Sequence, residues 1–145
     1  MCKGIGGALS GSEAERITHL LRTARTVAVV GLTDSPSRPS YGVSSYMQSQ
    51  GYRIIPVNPN ISESLGVMAY PTLLEVPDKI EIVNIFRRPD AVPEIVDQAI
   101  QLKVPAIWMQ EGVVHETAAE KARQQGIFVV MNKCILKEHR RYLGG

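Results

Sequence analysis

Three arginines stand where the chain turns out of apolar runs, and each lies among groups that suit an anion. Arg38 falls inside GLTDSPSRPSYG (31–42), where Thr33, Ser35, Ser37 and Ser40 add hydroxyls and a helix-like segment follows at once. A guanidinium fork, a row of hydroxyls and the unpaired N–H groups of a helix start together form a phosphate-binding set. Arg87 and Arg88 come directly after Phe86 in FRRP, at the end of another apolar run. VNPN (57–60), QEG (110–112) and MNKC (131–134) close three further runs, with Gly112 placed where backbone could approach a ligand closely. A plainer reading stays open beside this one: the prolines and serines shape a surface loop, Ser40 is an N-cap, and the arginines are solvated charges.

Several chemistries lose support. GxGxxG is absent, because Gly31 and Gly42 lie eleven positions apart and the loop between them replaces the tight turn onto a pyrophosphate. After the second apolar run a dehydrogenase usually places Asp or Glu for the adenosine ribose hydroxyls, and here Val57, Asn58, Pro59 and Asn60 stand instead. A ribose carrying a phosphate would favour amides and cations there, which NADP and coenzyme A (CoA) both satisfy. His19, His115 and His139 have no Ser or Cys partner at a local catalytic spacing and read as surface or capping residues. Asp34, Asp90 and Glu111 form no metal-ligand pattern. No catalytic residue and no metal are expected.

The elements that must position these loops follow from periodicity. TVAVVGL (26–32), YRIIPV (52–57), IEIVNIF (80–86), AIWMQ (106–110) and IFVVM (127–131) are short, β-branched and continuously apolar, as strands buried on both faces are. Between them lie helix-like segments at 41–50, 90–103 and 115–125. Asp90 is expected as an N-cap, Pro93 in a first turn and Gly126 just past a helix end. Ser12 and Glu15 have capping-box spacing ahead of the stripe Ile17, Leu20, Leu21 and Ala24. Residues 60–77 suggest a short edge strand and a brief helical turn. The expected fold is α/β, a doubly wound, mainly parallel sheet of five or six strands with helices on both faces, and Trp108 belongs to its core.

The 145 residues suit one domain, with 1–11 as a flexible leader and 12–145 as the folded unit. A net charge of +2 argues against a nucleic-acid partner, the lack of a long apolar run argues against a membrane, and two cysteines argue against a disulfide framework. The expected location is the cytoplasm.

With these pieces assembled, GLTDSPSRPSYGV, GYRIIPVNPN, VNIFRRP, IWMQEGV and VVMNKC resemble the small CoA-binding domain proteins of bacteria and archaea, from about Thr26 to His139. Those proteins are similar to the Rossmann-like nucleotide-binding domain of the succinyl-CoA ligase α subunit and of ADP-forming acyl-CoA ligases. The resemblance implies CoA or an acyl-CoA as ligand, with Gly31, Thr33, Arg38, Ser40, Tyr41 and Gly42 around the phosphates. It places Asn58 and Pro59 near the adenosine phosphate end, Phe86 and Arg87 at the pocket border, and Gln110 to Gly112 near pantetheine. It also implies no ligase chemistry in this chain, since the phosphorylated histidine and ATP-grasp partner of the larger enzymes have no counterpart here. An NADP-dependent reductase using the same site, and an interaction module with an unused pocket, are the alternatives.

Overall fold

The computed structural model describes residues 11–144. The expected leader therefore lies outside the described residues, apart from Gly11. In chain order the elements are α1 (Glu13–Thr23), β1 (Thr26–Val30), α2 (Pro39–Ser49), β2 (Arg53–Val57), β3 (Glu63–Ser64), β4 (Val67–Met68), β5 (Ile82–Ile85), α3 (Val92–Leu102), β6 (Ala106–Met109), α4 (Glu116–Gln124), β7 (Phe128–Val130) and α5 (Ile135–Tyr142). Short 3₁₀ turns occupy Leu73–Glu75 and Pro89–Ala91.

Five strands make one parallel sheet in the order β2-β1-β5-β6-β7. Alternate residues of each strand enter different cores. Ala28, Val30, Val83, Ile85, Ile107 and Met109 pack under α3 and α4. Val27, Val29, Ile82, Ala106 and Trp108 pack under α1, α2 and α5. That two-sided burial is why these strands read as unbroken apolar runs. Trp108 is fully buried, and its indole N–H donates to the Lys133 carbonyl at 2.8 Å.

Local signals explain most element ends. The Ser12–Glu15 capping box forms at both hydrogen bonds, and Pro93 sits in the first turn of α3. His115 caps α4 by accepting from the Ala118 N–H. Two expected caps are corrected. Ser40 is the second residue of α2, whose N-cap is Arg38, because Pro39 with its fixed φ starts the helix one residue earlier. Asp90 lies inside the Pro89–Ala91 turn, and α3 begins only after it, at Val92.

The irregular stretch holds a small hairpin, β3 with β4, forming a separate two-stranded sheet. Tyr70 bridges Val57 at the outer edge of β2 and so ties this stretch to the main sheet. Past β7, α5 is an element that the apolar pattern did not announce.

Candidate functional site

The strand order reverses between β1 and β5, since the chain runs from β1 outward to β2 and then returns past β1 to β5. A crevice opens at such a point, beyond the carboxyl ends of the strands. Gly31 ends β1 there with φ 94°, its N–H donating to the Val57 carbonyl at 2.9 Å. A Cβ on Gly31 would stand 2.2 Å from the Phe86 carbonyl oxygen and 3.1 Å from Cδ of Arg87. Glycine thus lets the two strand ends close up, and the stem of Arg87 lies across the gap.

Arg87 divides the crest into two hollows. On one side is a cavity of about 480 Å³ between the end of β2 and α3, lined by Gly31, Asn58, Pro59, Leu73, Glu94 and Gln98 among others, with Arg87 at its border. On the other is an open depression of about 460 Å³ between Phe86, Arg87 and the turn Gln110–Gly112. Seven of the residues singled out in the sequence, Gly31, Asn58, Pro59, Phe86, Arg87, Gln110 and Gly112, therefore line a trough made of two hollows that meet at Arg87. Thr33, Arg38, Ser40, Tyr41 and Gly42 line neither hollow. They form the loop and first turn of α2 alongside it, joined to the cavity by the Asn58 amide, which donates to the Leu32 carbonyl at 3.0 Å.

The loop is braced from several directions. Thr33 N–H donates to Ser40 Oγ at 3.3 Å, and Ser64 of β3 donates its hydroxyl to the Thr33 carbonyl at 2.6 Å. Ser35 and Ser37 hydroxyls meet at 3.1 Å. Arg38 itself is exposed and gives α2 no side-chain cap, and no acid occupies the first turn of that helix. By contrast α1 closes its start with a capping box and carries Glu13 and Glu15 there. The start of α2 is left open to an anion. At Gly42 a Cβ would meet nothing within 4 Å, so the protein itself makes no steric demand for glycine at that position.

Some site side chains are already committed elsewhere. Asn58 accepts from the Asn60 N–H at 2.9 Å as well as donating to Leu32, and its own N–H donates to the Tyr70 carbonyl at 2.9 Å. Gln110 is buried, and its Oε1 accepts from the Ile135 N–H at 3.0 Å, holding the start of α5. Both residues shape the trough walls while their amides serve the scaffold. Gly112, with φ 86°, donates its N–H to Asn132 Oδ1 at 2.8 Å, so the turns after β6 and β7 are tied together.

Sequence reasoning missed Glu94, Gln98 and the Pro71–Leu73 segment of the cavity wall. Glu94 and Gln98 are polar residues one turn apart on a helix otherwise read for its apolar stripe, and only the fold brings them opposite Asn58. It also misplaced His139. Expected at the surface, His139 is 6% exposed, with Nδ1 sharing a hydrogen bond with the Tyr46 hydroxyl at 2.8 Å and its ring edge-on to Tyr46 and Tyr52. It lies at the opposite end of the sheet, and burial holds its pKa below the usual 6.5. His19 is exposed, and Cys134 is a buried free thiol. No helix among the described residues is long and apolar enough to cross a membrane.

Several known proteins are similar to this chain. An uncharacterized protein of Bacillus subtilis (strain 168), YneT, is 43% identical over 128 residues, spanning 88% of this chain and 94% of its own length. A solved structure of a hypothetical protein from Pyrococcus horikoshii OT3 is 37% identical with a TM-score of 0.89, over 92% of this chain and 94% of that one. An ADP-forming acetate–CoA ligase of Archaeoglobus fulgidus is 29% identical over 79 residues, which are 53% of this chain and 12% of the enzyme. The family model described as CoA binding domain matches residues 25–140, a span that holds the Rossmann-like sheet and every crest loop described above, and the chain belongs to that family.

Proposed function

We propose that this chain binds CoA, free or acylated, along the crest of its sheet and carries no ligase chemistry of its own. The observation that carries the reading is the crossing of Arg87 over Gly31. One cation there faces a cavity on one side and an open depression on the other, beside a helix start with neither acid nor side-chain cap. An extended ligand with an anionic centre suits that layout: adenosine in the cavity, pyrophosphate over the crossing and α2, pantetheine along Phe86 and Gly112. The cytoplasm, where CoA is abundant, is the proposed setting.

The Asn58 amide already donates to Leu32 and accepts from Asn60, and its backbone N–H donates to Tyr70, so a guanidinium is the stronger partner for the phosphate on the adenosine ribose. Arg38, exposed at the start of α2, is the candidate. A calorimetric series with CoA, dephospho-CoA, NADP and NAD tests the reading, since all four share adenosine and differ in the ribose phosphate or the distal half. CoA should bind most tightly, dephospho-CoA more weakly and NADP weakest among the phosphorylated pair. Arg38→Ala should lower CoA affinity about tenfold, and more than that of dephospho-CoA if it holds the ribose phosphate. Preference for NADP would turn the site into a reductase candidate. Silence from all four ligands with folded protein would overturn the proposal.

A further inference from the structure

We propose that Glu94 and Gln98 read the base in the cavity between β2 and α3, selecting a 6-amino purine over a 6-oxo purine. This rests on the preceding reading, that the cavity holds the purine nucleoside end of the ligand. At about 480 Å³ the cavity falls within the usual range of small-molecule sites, about 300–1,000 Å³. Val57, Pro59, Leu73 and Ile95 offer apolar surface for the faces of a ring. Its edge must then meet whatever polar groups remain free.

Few do. The Asn58 amide already donates to Leu32 and accepts from Asn60, the Thr72 hydroxyl turns to Glu75 at 3.5 Å, and Asn60 is exposed on the loop after β2. Arg87, which can only donate, borders the cavity at the strand crossing. On the α3 wall, Glu94 and Gln98 lie four residues apart and so share one helix face. Glu94 enters none of the ion pairs among the described residues. An acid in a first turn also favours the helix dipole, but that role does not require it to face the cavity and leaves its acceptor lone pairs free.

The two side chains together match one purine edge. Adenine presents the N6 amine, a donor, beside N7, an acceptor, and a glutamine amide can meet both at once. An ionised carboxylate only accepts, so it takes the second N6–H and repels the O6 acceptor of hypoxanthine or guanine. A site that hydrogen-bonds a ligand N–H rejects analogues lacking it far more strongly than an apolar pocket rejects a missing methyl group.

The test uses the full chain and three probes: CoA, adenosine 3′,5′-bisphosphate and inosine 3′,5′-bisphosphate. Wild type should prefer the adenosine over the inosine compound by about tenfold or more. Glu94→Gln can donate to O6 and should bring the two affinities close together, and Gln98→Ala should also narrow the ratio. The ratio is the informative quantity, because removing a negative charge strengthens binding of both bisphosphates alike. Both substitutions lie on an exposed or half-buried helix face, and their melting curves should match wild type within a few degrees. Equal wild-type affinities, or a ratio that survives both substitutions, would overturn base selection while leaving CoA binding intact. Failure of all three probes to bind folded wild type would overturn both.

Discussion

A methyl group at Gly31 would collide with backbone, since the Phe86 carbonyl oxygen stands 2.2 Å from where it would go and φ there is 94°. Gly31→Ala should therefore cost more than the ~1–2 kcal/mol of left-handed backbone alone and weaken CoA binding as the strand ends part. Gly112→Ala shares the positive φ but meets nothing within 4 Å, so chemical denaturation should show only the backbone part. If the two variants unfold alike, the crossing is not the constraint described. A second contrast separates the neighbouring arginines. Arg87→Ala should lower CoA affinity about 10–100-fold with stability unchanged, whereas Arg88, which pairs loosely with Asp90 at 3.7 Å in solvent, should be replaceable at little cost. Residue type alone does not separate the two in FRRP, and it was the family resemblance that singled out Arg87. Which of them crosses Gly31 depends on the register of β5 against β1, and no local spacing encodes that.

Elements differ in how legibly they were written. The strands of the main sheet were plain because burial on both faces leaves an uninterrupted apolar run, and α1 was plain because its cap and its stripe agree. The hairpin was not, because two-residue strands are too short to show a period. Helix α5 escaped for another reason: in ILKEHRRY only Ile135, Glu138 and His139 are buried, so a histidine does part of the work of an apolar anchor. That choice leaves a pH signature. Burial lowers the His139 pKa, so the fold favours the neutral ring, which shares its hydrogen bond with the Tyr46 hydroxyl. Arg22 and Arg25 line the same hollow and do nothing to favour a cation there. Since the unfolded chain binds this proton more readily, stability should be full above pH 6.5 and decline as pH falls from 6.5 toward the lowered folded value. His139→Gln should lose that slope between pH 7 and 5 in urea titrations; an unchanged slope would assign it to other groups. On the same face of the sheet, Ser44 Oγ and Asn84 Oδ1 are buried with no partner among the described residues. Ser44→Ala should accordingly be neutral or stabilise by up to about 1 kcal/mol.

At the scale of the molecule, the two ends of the sheet carry separate duties. Strand starts face the His139 hollow, and strand ends face the trough. The doubly wound class was readable because alternation of strand and helix admits few topologies, and the loops after the strands were readable because ligands gather there. The far wall of the cavity was not, because Glu94 and Gln98 come from a helix three strands removed in sequence from Asn58. This division of labour has a measurable consequence. CoA at about 100 times its Kd should stabilise the fold by about 2.7 kcal/mol, and each kcal/mol raises Tm by about 2–4 °C near this chain length. His139→Gln should lower the starting Tm by the loss of its buried hydrogen bond, about 1–3 kcal/mol, yet keep the full ligand-induced rise. Arg87→Ala should do the reverse, leaving the starting Tm in place and shrinking the rise at the same CoA concentration. The double variant should then show both effects added, as sites without shared partners do. A CoA-induced rise that shrinks in His139→Gln would mean that the sheet couples its two ends, and that the hollow around His139 participates in binding from the opposite side of the molecule.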